Sequence, residues 1–144
     1  MDPVARYKEY QEAFEVFFKN DDPKTIEPYF TENAVYETLA DAPFAARHEG
    51  RDAIVAALQG SLNQMDRNFG TRVLEISDYK NENGVSRASF HMTLTLPDTP
   101  SLVLTGEELA TFEGDRIVRL EDRIAPDVVK EAGAWLGAHG AKLG

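Results

Sequence analysis

Aromatic residues recur every three or four positions in the first segment, where Tyr7, Tyr10, Phe14 and Phe17/Phe18 fall on one side of residues 4–19. That period describes an amphipathic helix with an aromatic face. The stretch NDDPK ends it and starts a short second helix, with Asp22 as N-cap and Pro23 at the first helical position. Ile26, Tyr29 and Phe30 give that helix its core side. A short strand is expected at about 34–38, then an irregular loop, LADAPFAARHEG, punctuated by Pro43 and Gly50. A third helix starts near Asp52, because Ile54, Val55, Leu58, Leu62 and Met65 share one face. From Asn68 the period changes to two. Turn signals at 81–84 (NENG), 97–100 (PDTP) and 113–115 (EGD) divide the rest into four strands, and connections so short imply antiparallel neighbours. The tail, 126–144, predicts a final helix that frays after Gly137.

This order, with helices gathered on one face of a curved antiparallel sheet, is that of an α+β fold. The length of 144 residues suits one domain, 1–144. A sheet that curls around helices leaves a cavity at its mouth, where small ligands bind. Composition changes little in this picture, but charge does. A formal net charge of −10 argues against nucleic acid, whose phosphates need cationic partners, and against anionic membrane surfaces. A small apolar ligand fits better. There is no cysteine, so disulfides and thiolate chemistry are excluded. His48, His91 and His139 lack the spacing of a helical metal pair, so neither a metal site nor a cofactor is expected. No run approaches the roughly 20 apolar residues of a membrane span. The start, MDPVARYKEY, lacks the features of a signal peptide, and a cytoplasmic location is expected.

The candidate chemistry begins in IVRLEDRI, residues 117–124. Alternation puts Ile117, Arg119, Glu121 and Arg123 on one face and Val118, Leu120, Asp122 and Ile124 on the other. Asp122 is therefore the inward acid, with Leu120 beside it. Burial of an unpaired carboxylate is costly and raises its pKa toward a range useful for proton transfer. In VSRASFHMTLTL (85–96), simple patterning turns Phe90, Met92 and Leu94 inward and His91 to water. Glu108 shares a face with Ala110 and Phe112, yet Gly106 could mark a bulge that re-aims it, and surface is the commoner place for an acid. Tyr36 is either a core aromatic or a pocket donor. Phe14 is helix core, ligand platform or both. Trp135 either lids the cavity or anchors the tail.

Three segments, YFTENAVYE (29–37), HEGRDAIVAAL (48–58) and FEGDRIVRLEDRI (112–124), resemble in order and separation the nuclear-transport-factor-2-like superfamily. Its cone-shaped α+β fold is shared by SnoaL-like polyketide cyclases, ketosteroid isomerases and limonene-epoxide hydrolases. The resemblance implies a small apolar or polycyclic ligand and acid/base chemistry without a cofactor. The general base of ketosteroid isomerases falls on Thr38, their helix-borne tyrosine on Phe14 and their protonated acid on Glu108, so steroid isomerisation of that kind is not expected. The catalytic aspartate of limonene-epoxide hydrolases falls on Asp122, and a water-holding tyrosine on Tyr36. Their asparagine falls on Thr38, and their Arg-x-Asp pair on Ser89 and His91. SnoaL-like cyclases also keep an aspartate on the last strand. The resemblance thus turns the polar face of 85–96, with Ser89 and His91, into the cavity. Phe90, Met92 and Leu94 are then left for a homodimer contact on the convex face. The expected site is Asp122, His91 and Tyr36 as catalytic groups, with Phe14, Thr38, Ser89, Glu108, Leu120 and Trp135 against the substrate. The alternative is a non-catalytic ligand-binding or protein-interaction module of the same fold.

Overall fold

Asp2 starts the first helix by accepting the Val4 and Ala5 N–H groups at 3.0 and 3.4 Å, with Pro3 in the first turn. Helix α1 (Pro3–Asn20) then runs until Asp21 turns left-handed, at φ 54°. The computed structural model describes residues 1–143. The expected second helix is two 3₁₀ turns, Pro23–Thr25 and Glu27–Tyr29. Prolines five residues apart remove the N–H groups that an α-helical ladder needs. Strand β1 (Phe30–Leu39) is longer than expected, with an irregularity between Phe30 and Val35. The loop after it contains a strand, β2 (Ala46–Glu49), that has no apolar period and forms by pairing with β1. Helix α2 (Arg51–Gln64) buries Ile54, Val55, Leu58 and Leu62.

Four long strands follow: β3 (Thr71–Glu82), β4 (Val85–Thr95), β5 (Leu102–Glu113) and β6 (Arg116–Arg123). They form an antiparallel meander, as the short turns require. Between β3 and β4, Asn83 and Gly84 both have positive φ, the pattern of a two-residue hairpin turn, and the Asn81 side chain accepts the Gly84 N–H. The sheet order is β2-β1-β6-β5-β4-β3, and β1 lies parallel to β6, the one parallel pair among the described residues. That pairing brings the two ends of the chain's β structure side by side.

Register carries the alternation of each strand across the sheet. One face holds the rows Tyr36–Leu120–Ala110–Ser86, Thr38–Asp122–Glu108–Ala88, Gly106–Phe90–Ile76, Leu104–Met92–Leu74 and Leu102–Leu94–Arg72. Helices α1 and α2 cover the first of these rows, with Tyr7, Tyr10, Phe17 and Leu58 in the core. Helix α3 (Pro126–His139), followed by a 3₁₀ turn at Gly140–Leu143, covers the last. Its Ala132 and Trp135 pack with Phe69, Leu94, Leu102 and Leu104. The opposite face holds Glu37–Glu121–Leu109–Arg87, Arg123–Glu107–Ser89–Ser77, Thr105–His91–Glu75 and Val103–Thr93–Val73. Phe90, Met92 and Leu94 therefore point inward and do not form the convex contact expected of them. Burial of three large apolar side chains decides their orientation. Among the described residues no helix is long and apolar enough to cross a membrane.

Candidate active site

A cavity of about 180 Å³ lies between the inner face of the sheet and helices α1 and α2. Its walls include Phe14, Leu58, Leu62, Leu74, Ile76 and Met92. Phe90 joins them because Gly106 lies opposite: a β-carbon there would come within 2.7–2.8 Å of the Phe90 ring and collide with the Arg123 carbonyl. Two carboxyl groups enter this apolar space, Asp122 from β6 and Glu108 from β5, and they are direct cross-strand partners.

Each carboxyl is held by a tyrosine. The Tyr36 hydroxyl donates to Asp122 Oδ2 at 2.5 Å, and the Tyr7 hydroxyl donates to Glu108 Oε1 at 2.8 Å. Burial and the nearby acids raise the pKa of Tyr7, Tyr10 and Tyr36, so all three remain protonated donors at neutral pH. The second oxygen of Asp122 is buried with no ordinary donor in reach. Glu108, its cross-strand partner, is the group able to fill that gap when it is protonated. Burial, then the Asp122 charge, pushes Glu108 well above the usual carboxylate range. Burial also raises Asp122, but hydrogen bonds from Glu108 and Tyr36 hold it down. The two buried carboxyls titrate together, and both are pushed above the ordinary carboxylate range.

At another part of the wall, Arg72 donates through Nε to Asp66 Oδ2 at 2.8 Å and through Nη1 to both Glu15 oxygens at 2.9 Å. Burial raises the Asp66 pKa, and Arg72 opposes the rise. The Arg72 and Asp66 side chains are buried and that of Glu15 is partly exposed at the rim, and together they tie α1 and the turn after α2 to β3.

Asp122, Tyr36, Glu108 and Phe14 thus meet at the cavity. His91 does not: it is exposed on the outer face, in register with Glu75 and Thr105. Ser89 shares that outer face, so the expected polar lining from β4 is corrected to an apolar one. Thr38 is in register with Asp122 but lines a shallow groove with Leu39, Arg47 and Ile124. Leu120 is packed in the core beneath the site. Trp135 packs on Phe69 and donates Nε1–H to the Pro100 carbonyl at 2.7 Å, anchoring α3 away from the cavity. Tyr7, Tyr10, Asp66 and Arg72 were not singled out as site residues from the sequence. Arg72 carried a readable signal, since it shares its strand face with Leu74 and Ile76 just as Asp122 shares one with Leu120. The tyrosines were legible as core, and only a buried hydroxyl's need for a partner hinted at an acid opposite.

A sheet curled around helices, with polar groups converging in an apolar cavity, is the architecture of a small-ligand pocket protein. The SnoaL-like domain model matches residues 10–120, and the chain belongs to that family. The matched span ends two residues before Asp122. Among solved structures, the chain is similar to a candidate isomerase from Bacillus subtilis, at 22% identity and a TM-score of 0.69, covering 93% of this chain and 96% of that one. Bal32a, from a soil-derived mobile gene cassette, is similar at 18% identity and a TM-score of 0.69, with 94% and 99% covered. A Catenulispora acidiphila protein with a ketosteroid isomerase-like fold, solved with trimethylamine, is similar at 14% identity and a TM-score of 0.62, with 87% and 92% covered. Likeness at such identities concerns the fold alone. No curated protein matches the chain.

Proposed function

We propose that the protein is an enzyme that moves a proton within a small apolar substrate, an isomerase or cyclase by reaction class. The observation that carries this reading is the cross-strand pair of Glu108 and Asp122, facing an apolar cavity and held by Tyr7 and Tyr36. Charged Asp122 accepts a proton from one substrate atom, and neutral Glu108 delivers its proton to another. Substrate composition is unchanged, and transfer of a proton from Asp122 to Glu108 restores the starting state. The tyrosines orient the two carboxyls and keep each in its role. A cavity of about 150 Å³ is enough for benzene, so this one suits a single ring rather than the polycyclic ligand the resemblance implies. With Ser89 and His91 outside, the epoxide-opening arrangement is not reproduced.

Conversion of 3-cyclohexenone to 2-cyclohexenone is a suitable test reaction. Asp122→Asn is expected to lower turnover by about 10²–10⁴-fold, the usual contribution of a positioned acid or base. A variant that works at the parent's rate would remove Asp122 from the chemistry. The apolar walls also favour a second reading, a binding module. Tight ligand binding in the parent with no turnover of monocyclic enones would support it.

A further inference from the structure

Asp122 and Glu108 face one cavity with no cation beside them, so with one proton between them, as in the reading above, they carry a negative charge that the protein does not balance. Among the described residues Arg72 is the one cation lining the space, and Asp66 and Glu15 already hold it. That cluster is itself net negative. The groups around the pair are tyrosines, whose hydroxyls donate hydrogen bonds without carrying charge. An uncompensated buried charge is costly. The cavity also presents the rings of Tyr7, Tyr10, Phe14, Tyr36 and Phe90, and aromatic faces attract cations.

We propose that the cavity binds protonated amines carried on an apolar skeleton of about one ring. The ammonium N–H groups donate to the acid pair, and the ring lies against Leu58, Leu62 and Ile76. The amine supplies the missing positive charge and competes with substrate for the same space. The inference rests on the shared proton of Glu108 and Asp122 described above, but not on turnover. Carboxylates are rejected, because among the described residues no cation in the cavity wall is free to receive them.

Calorimetric titration of the full chain at neutral pH with benzylamine, benzyl alcohol and benzoate tests the proposal. Benzylamine is expected to bind tighter than benzyl alcohol by about tenfold or more, the margin of a charge-assisted over a neutral hydrogen bond. Benzoate is expected to bind weakest. Asp122→Asn removes the charge and should bring amine and alcohol to within about threefold of one another. Glu108→Gln leaves the Asp122 carboxylate in place and should keep the preference. No binding of benzylamine, an equal or tighter alcohol, or a preference that survives Asp122→Asn would overturn the proposal. If Asp122→Asn does not fold, the parent's amine-to-alcohol ratio and Glu108→Gln decide. Enone turnover without amine preference would sink this inference and spare the isomerase reading, and the reverse result would do the opposite.

Discussion

On the outer face of β6, Glu121 accepts hydrogen bonds from Arg119 at 2.8 Å and Arg123 at 2.6 Å, and Arg119 also reaches Glu37 at 2.8 Å. One residue further on, Asp122 turns to the inner face and accepts from Tyr36. The same contrast repeats on β5, where Glu107 meets Arg87 outside and Glu108 meets Tyr7 inside. Glu121 is only 11% exposed, but guanidinium groups cover it rather than the core. Burial pushes its pKa up, and the two arginines outweigh that and leave it lowered. The inner acids have tyrosines and each other, so burial wins and both are raised. The chemical type of the partner, more than burial alone, decides whether a carboxyl in this sheet has its pKa lowered or raised.

That contrast can be broken most forcefully at the arginines. Arg72→Met leaves Asp66 buried without its cation and is expected to cost about 3–5 kcal/mol in urea denaturation. Arg119→Met on the outer face should cost below about 1 kcal/mol, because solvent screens the charges left behind. Equal losses would mean that the inner and outer ion pairs differ only in position.

A subtler test uses pH. The Glu108 pKa is raised in the folded state, so its stabilising contribution is present below the ordinary carboxylate range and is lost as pH rises through the folded value. Glu108→Gln should therefore flatten the alkaline-going fall in stability. Glu121 is lowered, so its contribution is present above the ordinary range and is lost as pH falls through the folded value. Glu121→Gln should flatten the acid-going fall instead. Melting midpoints across pH for the two variants should change on opposite limbs, and movement on the same limb would contradict the assignment. The smallest effect is expected at His91, where replacement by Ala should change stability by less than about 0.5 kcal/mol and leave enone turnover intact. Loss of activity in His91→Ala would return the outer face to the chemistry.

Much of the architecture was legible because periodicity reports burial directly. The aromatic face of α1, the apolar face of α2 and the four meandering strands all follow from spacing and turn residues. Asp122 was legible for the same reason, as one acid in an apolar alternation. His91 shows where the reading failed. Patterning turned it outward, the family resemblance turned it inward, and the structure agrees with the patterning. Alternation within a strand is a physical constraint. Correspondence of positions to distant relatives is not, and one residue of register reverses every side chain. β2 was missed because its four residues have no apolar period and owe their conformation to β1.

By itself, the alternation and periodicity of the sequence determined which side chains must leave water on the helix faces and at Asp122, and left the faces of β4 and β5 open. Local spacing is enough for that, because the hydrophobic effect acts on each face of an element wherever the element finally packs. Only the tertiary structure decided what Asp122 would meet. Glu108 lies 14 residues before it and Tyr36 lies 86 before it. They join it through an antiparallel register on one side of β6 and a parallel one on the other. A lone buried acid is a cost, whereas two acids set side by side in one cavity can divide a proton between them, and their assembly depends on strand pairings that no local pattern encodes.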